Sequence, residues 1–481
     1  MRLYNSLTRK VEEVVPREDK KIGMYTCGPT VYFYPHIGNW RTFVLGDLLV
    51  RALKYEGYSV DYLMNITDVG HLTGDNLGDA SSGDDRLEKA AKREGRTAGD
   101  IAEFYTKDFL AGYEKLNLTW PNEKRFCKAT EHIQGQIDLV KRIEEKGFTY
   151  RISDGIYFDV RAYEAAGNKY GLMSNLHVDN TEARIAENDE KKDKRDFALW
   201  KFSPAGEKRQ MEWESPWGIG FPGWHVECSA MSMKYLGEQF DIHVGGEDHK
   251  STHHPNEIAQ SEAATGKKPF VRYWVHGAFL LVDGGRMGKS LGNAYTLADI
   301  GERGYSPMDL RYFYLTGHYR KQLNFTWEAL GAAKTALRKL VGHVEKIRVK
   351  NKELRIKQDG DLGRVALGFG EKFREAIDND LNMPEALAVV WQMLGSELGD
   401  EQKYGLLIDF DRVLGLGLEN SARKFGTEEK VPEEVVRLVK QREELRKEKK
   451  WEEADKVRDE IEKLGWVVED TAEGGKVRKR D

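Results

Sequence analysis

Cysteine is scarce in this sequence: the 481 residues include only 3, at Cys27, Cys127 and Cys228. Three cysteines so far apart do not make a disulfide framework, so we expect a reducing compartment. Long apolar runs are also lacking, because none approaches the roughly 20 residues that cross a bilayer. The first ten residues, MRLYNSLTRK, have no apolar stretch typical of a signal peptide. We therefore expect a cytoplasmic protein with no membrane partner.

A large charge of one sign is missing as well. Lys and Arg total 75 and Asp and Glu total 80, which gives a net charge of -5. This balance excludes a histone-like protein that holds nucleic acid by bulk charge, so any contact with nucleic acid must be local. Hydrophobic residues (40%) and charged residues (32%) are both plentiful. The composition indicates a folded chain of about three domains, at roughly 150 residues per domain.

The first 70 residues predict a strand, a helix and a second strand. An apolar run over 22–27 stops at Gly28, apolar residues recur at helical spacing over 41–55, and 60–66 is the next strand. Short joints between them indicate parallel pairing with a right-handed crossover. Strand signals of the same kind return at 240–244 and 273–276.

The remaining segments predict other architectures. Hairpin-like stretches at 149–151 and 156–160 precede a mixed charged run, which indicates an insertion of mixed structure. Residues 326–418 follow the pattern of a helical bundle. A charge-dense helical stretch over 431–463 is followed by a short strand at 465–468.

A first candidate site lies between the first strand and its helix, in Pro35-His36-Ile37-Gly38-Asn39. A helix N-terminus suits a phosphate, and Gly38 permits close approach of a flat ligand because it has no Cβ. His36 and Asn39 add side-chain donors. The alternative is a strand-to-helix turn with ordinary capping.

A second candidate is the basic loop Arg286-Met287-Gly288-Lys289-Ser290, which has glycines on both sides. A loop of this kind can close over phosphates and bring Lys289 to the place where negative charge develops. An exposed basic loop without function is the alternative.

A third candidate is a scattered set of metal ligands: Cys27, Cys228, His253 and Glu257. Pro255 suits a first helical position, which predicts Glu257 in the first turn and His253 just ahead of it. Two thiolates, an imidazole and a carboxylate are admissible zinc ligands. The spacing is not that of a zinc finger, and two buried structural cysteines beside a polar helix start are the alternative.

These motifs closely resemble the cysteinyl-tRNA synthetase family of class I aminoacyl-tRNA synthetases. His36 to Asn39 is similar to the HIGH signature, and Arg286 to Ser290 is similar to the KMSKS loop. Further family-like stretches lie at 25–32, 65–68, 197–201, 223–231, 256–260, 379–386 and 454–459, so the resemblance covers nearly the whole chain.

The sequence departs from the family pattern at a few positions. Arg286 replaces the first lysine of the loop with a planar guanidinium, and Gly288 replaces a serine. Asn39 stands where the signature has its second histidine. Pro255 stands where the family often has glutamate, and the adjacent His253 and His254 leave the histidine ligand the least certain, although the family pattern favours His253.

The resemblance implies a two-step reaction with three substrates: ATP, L-cysteine and tRNA(Cys). Cysteine and ATP give cysteinyl-adenylate and pyrophosphate, and the cysteinyl group then passes to the 3' end of the tRNA. It implies catalytic roles for His36, Asn39 and Lys289, and nucleotide contacts from these residues with Gly38 and Asp248. It also implies a cysteine pocket of Cys27, Thr67 and Trp224, Mg²⁺ with ATP, and one Zn²⁺ on Cys27, Cys228, His253 and Glu257 that binds the substrate thiolate.

The implied fold class is α/β, with a Rossmann-like catalytic domain, an insertion, a helical bundle and a small C-terminal α/β anticodon-binding domain. We expect a monomer. Contacts with the anticodon arm of the tRNA are expected from Arg442, Arg446, Lys447, Lys449, Lys450 and Trp451, with a solvated helix face as the alternative. The expected segments are a catalytic first half (1–122), a connective insertion (123–219), a catalytic second half (220–275), a stem-contact region with the KMSKS-like loop (276–330), a bundle (331–424) and the anticodon-binding domain (425–481).

Three other functions remain as alternatives. A ligase that transfers cysteine to an amino sugar shares the metal and nucleotide motifs, but the Ala454–Asp459 stretch argues against it. A catalytically dead zinc- or RNA-binding relative is disfavoured because His36, Lys289 and the four ligand candidates are present. A dinucleotide-binding oxidoreductase would need a G-x-G-x-x-G turn after the first strand, and the sequence has none there.

Overall fold

The structure, a computed structural model, describes residues 1–69, 85–124, 126–173, 190–204, 206, 208–288, 291–350, 364–425, 432–448, 450–471 and 474–479. The chain forms two compact units. The first comprises Met1–Leu340 and Ile347–Leu418, and the second comprises Val341–Lys346 and Glu419–Asp481. The six segment boundaries expected from the sequence stay predictions.

The first unit begins with a parallel α/β arrangement. Its elements up to residue 145 are β1 (Arg2–Asn5), β2 (Lys10–Glu13), β3 (Lys21–Thr26), α1 (Ile37–Tyr55), β4 (Ser59–Ile66), α2 (Arg86–Glu94), α3 (Ala98–Lys115), β5 (Cys127–Lys128) and α4 (Ile133–Glu145). Helix α1 starts at Ile37, earlier than the predicted residue 41, because His36 and Asn39 cap it: each side chain accepts a hydrogen bond from the other's backbone N–H.

An antiparallel insertion follows. It contains β6 (Thr149–Ile152), β7 (Gly155–Phe158), α5 (Val160–Ala165), β8 (Phe197–Phe202) and β9 (Gly220–Pro222), with the strands in the order β6-β7-β8-β9. The predicted hairpin is present, but its second strand ends at Phe158 rather than at residue 160. The reason is local, since the Asp159 side chain accepts a hydrogen bond from the N–H of Ala162 and so caps α5.

The parallel sheet then resumes. Its later elements are α6 (Trp224–Leu236), β10 (Phe240–Gly246), α7 (His253–Thr265) and β11 (Val271–Gly277). The strands run in the order β11-β10-β3-β4-β5, and all neighbouring pairs are parallel. The predicted α/β class with an interrupted parallel sheet is therefore confirmed. Continuous burial along β10 and β11 is typical of a sheet covered on both faces.

The rest of the first unit is a small sheet followed by helices. The elements are β12 (Leu280–Val282), β13 (Gly285–Arg286), α8 (Leu297–Glu302), α9 (Pro307–Leu315), β14 (Leu323–Phe325), α10 (Trp327–Lys350), α11 (Arg364–Asp378), α12 (Met383–Gly395) and α13 (Asp400–Leu414). Of α10, the stretch Val341–Lys346 belongs to the second unit. The predicted helical stretch over 326–418 is present in the described residues.

The second unit has its own core. It contains α14 (Leu418–Phe425) from Glu419 onward, α15 (Glu433–Lys447), α16 (Trp451–Lys463), β15 (Trp466–Thr471) and β16 (Gly474–Lys479). The two strands form an antiparallel pair. Val435, Leu438, Val457, Ile461 and Trp466 are buried together in it. In the described part of the chain, no helix has both the length and the apolar character that a membrane crossing requires.

Candidate functional site

The candidate residues gather at the carboxyl end of the parallel sheet. Cys27 is the first residue after β3, Thr67 is the first after β4, and Asp248 follows β10. In open α/β sheets the crevice outside the carboxyl ends of the strands is where ligands bind. Three strands therefore deliver residues from distant parts of the sequence to one crevice.

Helices α6 and α7 add the other members of the metal-ligand set. Cys228 lies on α6, and His253 and Glu257 lie on α7. The predicted position of Pro255 was wrong: α7 begins at His253, so the proline is its third residue. The helix thus includes both ligands, and an i, i+4 spacing places them on one face.

The four candidate ligands are close together and buried. One ligand atom from each of Cys27, Cys228, His253 and Glu257 lies within 4.8 Å of the other three. All four side chains are at most 4% exposed. Two thiols, an imidazole and a carboxylate at this separation form a donor set that suits Zn²⁺.

One hydrogen bond orients the Glu257 carboxylate. Its Oε2 is 3.0 Å from Nε2 of His243, a residue of β10. Its Oε1 is 3.1 Å from Nε2 of His253, but neither this contact nor any other within the described residues meets hydrogen-bond geometry. A buried carboxylate oxygen without a hydrogen bond is costly unless a cation satisfies it, so the residues fit a metal ion.

Burial also changes the acidity of this cluster. It raises the pKa of Glu257 well above its usual range. Burial is also the main reason why the pKa of Cys27 is raised, and the neighbouring Cys228 thiol adds to it. Unpaired negative charge is thus disfavoured here, and a divalent cation is the kind of partner that would stabilise it.

A second set of ligand atoms overlaps the first. Cys27, His243, His254 and Glu257 also lie within 4.8 Å of one another. Nδ1 of His254 is 2.8 Å from Nε2 of His276, and its Nε2 is 3.5 Å from Sγ of Cys27. The structure therefore brings both adjacent histidines to the cluster. Distances alone leave either His253 or His254 as the histidine ligand.

The predicted cysteine-pocket residues line one cavity of about 240 Å³. Cys27, Thr67 and Trp224 all border it, together with Cys228 and His253. The Trp224 ring centroid is 4.4 Å from that of His253, and the Thr67 hydroxyl donates to Oε2 of Glu227 over 3.2 Å. A small space with thiols at one end and an indole wall suits a small amino acid.

A larger cavity of about 910 Å³ contains the predicted nucleotide residues. His36, Gly38, Asn39 and Asp248 line it. A Cβ on Gly38 would lie 3.0 Å from the His36 ring, so a larger residue here would push on that ring. His36 and Asn39 thus cap α1 and also border the cavity. The nucleotide contacts of this motif stay a prediction.

The basic loop is described only in part. Arg286 and Met287 border the larger cavity, and the Gly288 N–H donates to Oδ1 of Asn293 over 2.8 Å. Lys289, the predicted catalytic lysine, lies outside the described residues, as does Ser290.

Several histidines around the cluster were missed by the sequence reasoning. Beyond His253 and His254, the rings of His225, His243, His249 and His276 lie within about 5 Å of another histidine ring of the group. The available signal was their density, since half of the 12 histidines of the chain lie between 225 and 276. The separations between these histidines along the sequence did not reveal the group, because its members lie on two helices, two strands and the segment between β10 and α7.

Family models match two parts of the chain. Residues 13–335 match the class I (C) tRNA synthetase catalytic domain, and residues 428–478 match the cysteinyl-tRNA ligase anticodon binding domain.

Curated relatives match nearly the full length. A protein named cysteine–tRNA ligase 1 from Burkholderia lata is 45% identical over 98% of this chain and 95% of the relative. A cysteine–tRNA ligase from Treponema denticola is 42% identical over 98% of each chain. Among solved structures, methionyl-tRNA synthetase of Mycobacterium tuberculosis aligns with a TM-score of 0.57 at 16% identity, over 84% of this chain and 91% of that one. This last likeness concerns the fold alone.

Proposed function

Because the chain belongs to the family of cysteine–tRNA ligases, the cysteinyl-tRNA synthetases, we propose that its buried cluster holds one Zn²⁺ through Cys27, Cys228, His253 and Glu257. The activity of the family is that of this chain: an ATP-dependent ligase that joins cysteine to tRNA. The observation that carries the zinc proposal is the convergence of four buried ligand atoms within 4.8 Å.

The choice of His253 over His254 rests on its neighbours. His253 belongs to the set that contains both buried cysteines near the pocket, whereas the set with His254 leaves Cys228 out. Nε2 of His253 also faces the Glu257 oxygen that has no hydrogen bond. His243 holds the other oxygen of the same carboxylate, as a neighbour that orients a metal ligand does.

The cluster can account for how the enzyme selects cysteine over serine. Serine differs from cysteine by one atom, and a pocket that reads such a difference by shape gains only about 1–3 kcal/mol. When bound, Zn²⁺ supplies a Lewis-acidic partner for the substrate thiolate. Thr67 and Trp224 would then limit the pocket to a small side chain, and no second hydrolytic site is needed for discrimination.

ATP is proposed to bind in the larger cavity. We propose that His36, Asn39 and Lys289 stabilise charge on the phosphates, with Mg²⁺ accompanying ATP, and that Gly38 and Asp248 help hold the nucleotide. Support comes from the four described residues among these, which line one cavity that adjoins the cysteine pocket. Position and electrostatics would supply most of the acceleration of this step.

The second unit is proposed to bind tRNA(Cys). The match of residues 428–478 to an anticodon binding domain supports this role. Arg446 and Trp451 are the favoured contacts, because Trp451 is 55% exposed and the Arg446 guanidinium carbon lies 5.6 Å from its ring centroid. Arg442, also expected as a contact, is only 3% exposed, so its side chain packs inside the unit instead. Lys449 lies outside the described residues.

We also infer a monomer that works in the cytoplasm. The three cysteines, all within the described residues, form no disulfide bond, in keeping with a reducing compartment. One chain carries both the zinc-ligand candidates and the anticodon-binding segment, so the proposed parts of the reaction occur within a single copy. Sedimentation of the purified protein tests the monomer.

The zinc proposal is tested with two cysteine variants. Cys228→Ser removes a proposed ligand, whereas Cys127→Ser changes a cysteine that is equally buried but outside the ligand set. Zinc content and ATP–pyrophosphate exchange are measured with cysteine and with serine. We expect wild type and Cys127→Ser to hold one zinc and prefer cysteine, and Cys228→Ser to lose both properties. Full zinc and full selectivity in Cys228→Ser would show that the assignment is wrong.

A further inference from the structure

Arg86 stands where the two cavities of the site meet. It is the first residue of α2, and its side chain lines both the cysteine pocket and the larger cavity. Within the described residues, no other lysine or arginine lines both. His36, Asn39 and His253 also border both cavities, so Arg86 faces the region between the amino acid and the nucleotide.

The surroundings of Arg86 fix its position. Its Nη1 donates to the hydroxyl of Tyr32 over 3.2 Å, and the guanidinium carbon lies 5.2 Å from the ring centroid of that tyrosine. Asp85 caps α2 by accepting from the N–H groups of Leu87 and Glu88 at 2.8 and 3.0 Å. Leu87 is buried in a cluster that includes Val31, so the helix is packed against the loop that carries Tyr32.

The chemistry at this junction requires positive charge. The carboxylate of cysteine must approach a phosphate of ATP, and both groups are anionic. Asp248, which borders both cavities, adds a further negative charge. A guanidinium keeps its charge at any working pH, and its forked donors match the oxygens of a phosphate.

We propose that Arg86 contacts the α-phosphate of ATP during adenylate formation. This inference rests on the proposed adenylate-forming activity. In that step a carboxylate oxygen of cysteine forms a bond to the α-phosphorus, and the bond from that phosphorus to the bridging oxygen breaks as pyrophosphate leaves. Arg86 offsets the negative charge that builds on the non-bridging oxygens. It takes no part in bond making or breaking.

A matched pair of arginines on one helix tests this role. Arg93 also lies on α2 and also stacks on an aromatic ring, with its guanidinium carbon 5.5 Å from the centroid of Phe33, but it lines neither cavity. The measurements are kcat and KM in cysteine-dependent ATP–pyrophosphate exchange, zinc content and melting temperature, for Arg86→Gln, Arg86→Lys and Arg93→Gln.

We expect Arg86→Gln to lower kcat about 100-fold, as the loss of one charge-stabilising donor does, with zinc content unchanged. Arg86→Lys restores most of the rate because it keeps the charge, and Arg93→Gln behaves as wild type. If Arg86→Gln does not fold, Arg86→Met, which keeps the apolar stem over Tyr32, should show the same loss of kcat.

Three results would overturn the inference: wild-type kcat in both neutral variants, equal loss in Arg93→Gln, or no recovery in Arg86→Lys. Failure of the proposed activity itself is distinguishable, since wild type would then show no cysteine-dependent exchange.

Discussion

The two oxygens of the Glu257 carboxylate have different surroundings. One oxygen receives a hydrogen bond from His243, and the other lies beside His253 without one. Because only one oxygen is held by a hydrogen bond, the lone pairs of the other oxygen are available on the side that faces His253. A metal ion on that side would complete the coordination of a group whose burial otherwise favours the neutral form.

Replacing the two adjacent histidines one at a time separates the two possible ligand sets. We expect His253→Ala to lose zinc, because it removes the ligand that shares a set with both Cys27 and Cys228. His254→Gln should keep zinc and weaken its binding by about 10- to 100-fold, as loss of an outer neighbour does. Metal titration with a competing chelator measures both. Loss of zinc in His254→Gln alone would reverse the assignment.

The four proposed ligands could be named from the sequence, but their surroundings could not. Residue types and the family resemblance were enough to pick out Cys27, Cys228, His253 and Glu257. His243 and His276 escaped notice because each lies in a strand whose apolar pattern explains it as core. Arg86 escaped because a basic residue in a charged stretch resembles a solvated helix face. Only three-dimensional proximity distinguishes these residues from ordinary ones.

Among the elements, α1 links the site to the rest of the first unit. Its N-terminus carries His36 and Asn39, and its middle carries Asp47, which is fully buried. Oδ2 of Asp47 is 2.5 Å from Nη2 of Arg311 on α9, and Oδ1 accepts from the Thr119 N–H over 2.6 Å. This carboxylate therefore ties α1 to α9 and to the chain after α3.

The Asp47–Arg311 pair predicts a large loss of stability when it is broken. Asp47→Asn leaves a buried guanidinium without its counter-charge, which costs about 3–5 kcal/mol of unfolding free energy. Equilibrium urea denaturation measures it. Glu103→Gln, at an acidic residue that pairs with Lys107 on the exposed surface of α3, serves as the control, and its unfolding free energy should be nearly that of wild type.

The same pair gives a pH dependence. Burial opposes the charged form of Asp47, but Arg311 and Arg51 outweigh it and lower the pKa of the carboxyl. A lowered pKa stabilises the fold above the unfolded-state value and ceases to do so as the pH falls through the folded-state value. Asp47→Asn should therefore lose less stability on acidification than wild type, and equal acid dependence would contradict this account.

Element types were predictable, whereas several ends were not. The parallel strand–helix–strand start follows from apolar runs and periodicity, and it is present as β3, α1 and β4. The errors lie at caps: α1 starts earlier because of His36, β7 ends earlier because of Asp159, and α7 starts at His253. The first two ends are set by side chains that satisfy backbone N–H groups, which apolar periodicity does not report. The start of α7 has no side-chain cap.

At the scale of the whole molecule, the chemistry and the proposed anticodon recognition belong to different units. The cavities and the ligand cluster lie within the first unit, and the match to the anticodon binding domain lies within the second. Pyrophosphate exchange needs only ATP and cysteine, so it reports on the first unit. Under the proposed division, charging of tRNA also uses the second unit.

Trp451 provides a test of this division. Base stacking on an exposed aromatic ring is worth about 1–3 kcal/mol, so Trp451→Ala should raise the KM for tRNA(Cys) about tenfold or more and leave pyrophosphate exchange unchanged. Leu464→Ala, which truncates another exposed apolar side chain of this unit, is the control. An unchanged KM for tRNA in Trp451→Ala would remove this residue from the proposed interface.

We propose above that a bond from sulfur to metal distinguishes cysteine from serine, and a direct count of that bond is possible. X-ray absorption at the zinc edge of the purified, zinc-loaded protein counts the sulfur atoms bound to the ion. We expect two sulfurs, those of Cys27 and Cys228, in the free enzyme, one more sulfur when cysteine is added, and no change when serine is added. An unchanged sulfur count in the presence of saturating cysteine would contradict it.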